Sequence, residues 1–257
     1  MNFFFVINSS ILHSKLSIPR FQNSAKSNNK YDLFQAVIDD GSWAIKNITK
    51  KIISDKDFYF FESNAFEKNG IFFLAKKNDF LDIKKNSYSK LSNFNNLTNT
   101  SPAFRSNLQV FLSDGGFSSY QSEYPSAMVS KKGSILSPIN SLSNRNADKN
   151  IIFLVNIYEL PIHEKFNLFF INIKSKKILQ KVKVLTNCVN EVIIDKNLIQ
   201  PDVFLFTDKF IGIPIFCSIK NNHISFEHSH PPHSFVMSND KFKVISELKK
   251  EINEFIN

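Results

Sequence analysis

The run Ile211-Gly-Ile-Pro-Ile-Phe-Cys-Ser-Ile-Lys-Asn-Asn-His-Ile-Ser-Phe-Glu-His228 reads as two strands turning at Lys220-Asn-Asn222. An apolar run, a polar turn and a half-polar run together are a hairpin signal. The pattern recurs upstream. Apolar runs at 108–112, 151–158, 168–173, 182–185, 192–194 and 203–206 are punctuated by turn signals such as Lys174-Ser-Lys-Lys177. Asp114-Gly-Gly116 fits a tight turn that needs positive φ. Strands at this spacing, with no helical pattern between them, predict an antiparallel sandwich or barrel.

The flanks read differently. Tyr31, Phe34, Val37 and Ile38 share one helical face, Asp39-Asp-Gly-Ser42 makes a break, and Ala44, Ile45, Ile48 and Ile52 resume the spacing. A helical segment is therefore expected over 31–53. A strand pair is expected next, 58–61 with 71–75, turning at Lys68-Asn-Gly70. At the end, Asn239 or Asp240 caps an amphipathic helix with Phe242, Ile245, Leu248, Ile252 and Phe255/Ile256 as its apolar stripe, packed on the sheet. The fold class is α+β, mainly antiparallel β, with an N-terminal helical segment and a C-terminal helix. The expected division is an α+β segment over 1–99 and a β domain over 100–257. The polar runs at 86–101 and 138–150 are loops, the first a candidate linker.

The chain has 257 residues, 42% of them hydrophobic, enough for a large core. Its net charge of +9 invites a nucleic-acid reading. Only three of the 32 basic residues are arginine, and the charge is spread: residues 1–100 carry 14 basic and 9 acidic groups, and 101–257 carry 18 and 14. A nucleic-acid surface concentrates its charge and favours arginine, so this balance argues against one. The wealth of Lys, Asn, Ile and Phe is the bias of an AT-rich coding sequence. Against that drift the scarce Arg, Gly, Pro and His carry more information.

Cys188 and Cys217 form no CxxC and lie in apolar surroundings, which reads as buried free thiols. Phe3 to Ile7 is too short for a signal sequence, and no stretch approaches the ~20 apolar residues of a membrane span. The cytoplasm is the expected compartment.

Four of the six histidines crowd into His223-Ile-Ser-Phe-Glu-His-Ser-His-Pro-Pro-His233. Alternate strand residues share a face, so His228 and His230 would point together with Glu227 opposite. Side-chain origins about 6–7 Å apart let two imidazoles reach one ion. Pro231-Pro232 would end the strand and return His233 toward the pair. The metal expectation is zinc or another divalent ion on His228, His230 and His233, with Glu123, Asp114 or His163 completing the set. Without metal, His228 and His230 would act as acid and base with Glu227 or Glu123 as the carboxylate partner.

A second constellation is Asp114-Gly-Gly-Phe-Ser-Ser-Tyr-Gln-Ser-Glu-Tyr-Pro125. Tyr120 and Tyr124 offer rings for the apolar faces of a sugar, and Gln121 and Glu123 offer partners for its hydroxyls. Arg105 and Arg145 are candidates for a carboxylate or phosphate. Glu159-Leu-Pro-Ile-His-Glu164 reads as a turn. The glycine spacings exclude GxGxxG and a P-loop, and neither GxSxG nor HExxH occurs. Two functions follow as expectations. One is an enzyme with a histidine-rich pocket for a small polar or carbohydrate-like substrate. The other is a non-catalytic β domain that binds a glycan or a protein partner.

Overall fold

The computed structural model describes residues 2–20, 31–55, 57–62, 70–76, 87–91, 106–113, 115–228 and 237–256. Its strands are β1 (Asn2–Phe4), β2 (Leu12–Pro19), β3 (Asp32–Asp39), β4 (Ser42–Asn47), β5 (Ile53–Ser54), β6 (Phe58–Glu62), β7 (Ile71–Ala75), β8 (Ser87–Tyr88), β9 (Asn107–Leu112), β10 (Phe117–Tyr120) and β11 (Glu123–Pro125). After the one-turn helix α1 (Ser126–Val129) come β12 (Leu136–Pro138), β13 (Lys149–Asn156), β14 (Lys165–Asn172), β15 (Lys177–Leu185), β16 (Cys188–Ile193), β17 (Val203–Thr207), β18 (Ile213–Lys220) and β19 (His223–His228). Helix α2 (Lys241–Ile256) follows.

The chain forms two units. The first holds Met1–Lys131 with Ile157–His163 and Asn187–Val189, and the second holds Lys132–Asn156, Glu164–Thr186 and Asn190–Asn257. The first contains a six-stranded sheet, ordered β11-β1-β7-β3-β4-β8, and a five-stranded one, β10-β9-β2-β6-β5. The orders β12-β17-β14-β15 and β16-β13-β18-β19 make the other two sheets. Mainly antiparallel β with a C-terminal helix is therefore the architecture.

The helical segment expected over 31–53 is instead the β3–β4 hairpin. Asp39 pairs with Ser42, and the two residues between them, Asp40 and Gly41, both have positive φ (42° and 69°). That is the I′ geometry for which an Asp-Gly pair is suited. Leu33 through Val37 are all buried, so β3 is covered on both faces. A strand apolar on both faces loses its two-residue alternation, and its apolar residues then also satisfy helical spacing. The expected pairing of 58–61 with 71–75 does not form either, because β6 and β7 belong to different sheets. Their rings nonetheless meet, Phe61 and Phe72 lying 4.7 Å apart. The Lys68-Asn69 part of that turn lies outside the described residues. Ser87 and Tyr88, within the expected linker, pair with Ala44 and Trp43.

Residues 157–163 are bound into the first unit by backbone-directed contacts. The Trp43 indole N–H donates to the Glu159 carbonyl (2.7 Å), as does the Leu91 amide (2.9 Å). Asn187, buried at φ 58°, accepts from the Tyr158 amide (2.6 Å) and donates to the carbonyls of Leu160 (2.8 Å) and Ile162 (3.0 Å). Each bond satisfies a loop group that would otherwise be buried at a cost.

In the second unit α2 packs on the sheet of β12, β17 and β14. Ile252 is fully buried among Leu136, Phe169, Ile171 and Phe206, with Leu248, Phe255 and Ile256 alongside. This is the expected stripe from Leu248 onward, while Ile245 is half-buried and Phe242 is 67% exposed. No described helix is long and apolar enough to cross a membrane.

Candidate ligand-binding face

The five-stranded sheet has one apolar face and one solvent face, set by the two-residue period of its strands. Along β2, Leu12, Ser14, Leu16 and Ile18 are buried, while His13 and Lys15 are exposed. Ser14 is satisfied inside, accepting from the Ile7 amide (3.2 Å) and donating to the Ile7 carbonyl (2.7 Å). Leu108 and Val110 of β9 and Tyr59 and Phe61 of β6 complete the inner face.

Register builds the outer face from strands distant in sequence. His13 lies opposite Phe111, and Phe111 opposite Phe117. The imidazole stacks on Phe111 (centroids 5.3 Å, 15°), and Phe111 stacks on Phe117 (6.0 Å, 29°). Phe117 is 66% exposed. One step along, Ser119, Gln109, Lys15 and Glu62 form a polar row. Lys15 and Glu62 are ion-paired at 3.0 Å, and the Lys15 ammonium lies 5.7 Å from the Phe111 centroid. Another step brings Ser17 beside Phe60, and Phe60 beside Ile53, which is 78% exposed. Gln109, Lys15 and Glu62 of the polar row and this apolar end line an open groove of about 600 Å³ with Lys51 and Ile52. That volume suits a small ligand.

The residues singled out in the sequence are distributed as follows. His228 ends β19, half-buried on the side of Phe226, whose ring stacks on Phe153 (6.2 Å, 7°). Glu227 faces the other way and is exposed. His223 opens β19 opposite Lys220, across a turn in which Asn221 has φ 50°. His230, His233, Arg105 and Asp114 lie outside the described residues. Among the described residues no group of three His, Cys, Asp or Glu side chains gathers as a metal site would. Arg145 is exposed in the loop after β12, and His163 is exposed in the 157–163 segment.

The run 114–125 is split between sheets. β10 supplies Phe117 and Ser119 to the outer face, while Tyr120 sits half-buried on the side of Leu108, and Gln121 is exposed in the connection. β11 belongs to the six-stranded sheet, where the Glu123 carboxylate accepts from the Ser106 amide (2.8 Å). Tyr124 is fully buried, and burial pushes its phenol far above the usual range, eased by the backbone of Ile157. The histidine strand and the tyrosine run therefore belong to different units.

Sequence reasoning passed over His13, Lys15, Phe60, Gln109 and Phe111. The phase of Leu12-x-Ser-x-Leu-x-Ile18 marks the exposed side of β2, but nothing local tells that β9 lies beside it. Arg20 ends the described part of β2's connection, one residue after Pro19. Its guanidinium stacks over Tyr59 (4.8 Å) and donates to the Asp55 carbonyl, a structural role. No protein-family model, no curated protein and no solved structure matches this chain.

Proposed function

We propose that this is a non-catalytic β protein that binds a glycan on the outer face of its five-stranded sheet. The single observation that carries the reading is the ladder Phe117–Phe111–His13 on a solvent face beside a polar row. Phe117 is exposed and Phe111 half-buried, so the ladder presents ring faces that a partner could cover. Ring faces match the C–H faces of a sugar, and Gln109, Lys15 and Glu62 are placed to bond its hydroxyls. Polyanions fit less well, because Glu62 would oppose each phosphate near Lys15. Catalysis of glycoside hydrolysis ordinarily takes two carboxyl groups. Among the residues lining the groove Glu62 is the one carboxylate, and it is held by Lys15.

The paired sheets support a sandwich-like reading of each unit, with Phe61 and Phe72 meeting between the sheets of the first.

The test is an oligosaccharide array followed by calorimetry on the full chain. A bound oligosaccharide, weakened in Phe111→Ala and in Phe117→Ala, supports the assignment. Absence of binding across the array, or binding indifferent to both substitutions, overturns it.

A further inference from the structure

Between Lys165 and Asn190 the chain carries six lysines and no acidic residue. The structure folds this stretch into the β14–β15 hairpin, turning at Lys176 (φ 52°). Lys176 is ion-paired with Glu251 of α2 at 2.5 Å. Lys177, Lys181 and Lys183 are exposed along β15, and none has an ion-pair partner among the described residues.

β15 ends its sheet. It spans nine residues and pairs with β14 on one side, and its other backbone edge meets no strand among the described residues. At Leu185 the Asn190 side chain takes both backbone groups, accepting from the amide (2.8 Å) and donating to the carbonyl (2.9 Å), and the edge short of that residue is a template for another strand. Two features restrain it: the lysines, and an irregularity in the pairing at Phe170/Ile171. Lysines repel neutral and basic strands because pairing would bury their charge uncompensated. They do not repel a strand that brings carboxylates. The same edge also exposes Ile178 (39%) and Leu179 (43%), which a charge-only surface does not need.

We propose that the edge of β15 receives an extended acidic segment of a partner protein as an added strand. Backbone groups of the segment would pair with those of β15, and the carboxylates on one of its faces would lie opposite Lys181 and Lys183, which share a face with Ile178, whereas Lys177 lies on the other face beyond the irregularity. A nucleic acid is a poorer occupant. The hairpin has no arginine, and the ring beneath Lys181, Phe169, is buried and offers no stacking platform.

The experiment titrates isotope-labelled full-length protein with a ten-residue peptide alternating Glu and Val. Saturable shifts along 177–184, with slowed exchange at the outward-facing β15 amides short of Leu185, are expected. The variant K177E/K181E/K183E should bind this peptide about tenfold more weakly and gain binding to the matching Lys–Val peptide. Failure to slow exchange on β15 overturns the proposal. So does equal competition by polyglutamate or a thymidine oligonucleotide of the same charge, which would mean attraction by charge without strand pairing. The wild-type exchange pattern decides the matter by itself if the triple variant does not fold.

Discussion

His13 and Phe111 stand directly opposite each other on β2 and β9, their rings 5.3 Å apart and 15° from parallel. This pair joins the exposed Phe117 to the polar row of Lys15 and Gln109. Phe117→Ala removes a ring that is mostly in water, so unfolding should move by less than about 1 kcal/mol. Glycan affinity should fall about three- to tenfold, the worth of one stacking contact. Calorimetry and urea unfolding on the same samples separate the two effects.

Removing the Asn187 side chain should do the reverse, harming stability without touching the ligand face. Asn187→Ala loses three hydrogen bonds and places alanine at φ 58°. A loss of about 3 kcal/mol is expected. Asn187→Gly keeps the backbone conformation and should recover about 1 kcal/mol of it. Urea midpoints for both variants check the split.

Cys217 supplies a pH signature. Burial pushes its thiol up from 9.0 to about 12, with Glu191 adding to the effect. Below pH 9 the thiol is neutral in both folded and unfolded chains, and the folded state keeps its full advantage. Between pH 9 and 12 the unfolded chain releases the proton and the folded chain retains it, so stability falls as pH rises. The slope from this group is at most about 1.4 kcal/mol per pH unit. Stability curves of wild type and Cys217→Val from pH 8 to 10.5 should diverge in that direction. A thiol reagent at neutral pH should label Cys188 well before Cys217.

Ile252 has no exposed surface and touches the sheet through Phe169 and Phe206. Ile252→Ala should cost about 2–5 kcal/mol in urea unfolding. Phe242→Ala, on the same helix but 67% exposed, should cost less than about 1 kcal/mol.

The zinc expectation at His228, His230 and His233 is tested by elemental analysis of untagged protein. The glycan-binding reading expects no stoichiometric zinc. Stoichiometric metal lost in His228→Ala would replace it with the metal-assisted enzyme.

Much of the second unit was legible in its residues. Turn chemistry bounds β14–β15 and β18–β19, and the stripe of α2 has one period throughout, so local rules suffice there. The first unit resisted for two physical reasons. Burial of both faces of β3 erased the alternation that identifies a strand. The pairing of β2 with β9 joins segments about ninety residues apart, and no local pattern encodes it. The candidate face inherits that second difficulty. Each ring in Phe117–Phe111–His13 is ordinary in its own strand, and only register makes them a ladder.

The seven residues from Ile157 to His163 bear on how the chain is made. Trp43 finds its acceptor at Glu159, and Asn187 secures that segment. During synthesis from the N-terminus, the strands of the first unit emerge long before these partners do. The unit's full set of contacts is not made until residue 189 has left the ribosome. Their completion is thus a late event of high contact order, with the indole N–H of Trp43 awaiting its acceptor meanwhile. A fragment ending at Lys131 would keep that donor without the acceptor. The two units can be told apart in space, yet no single cut yields the first one whole.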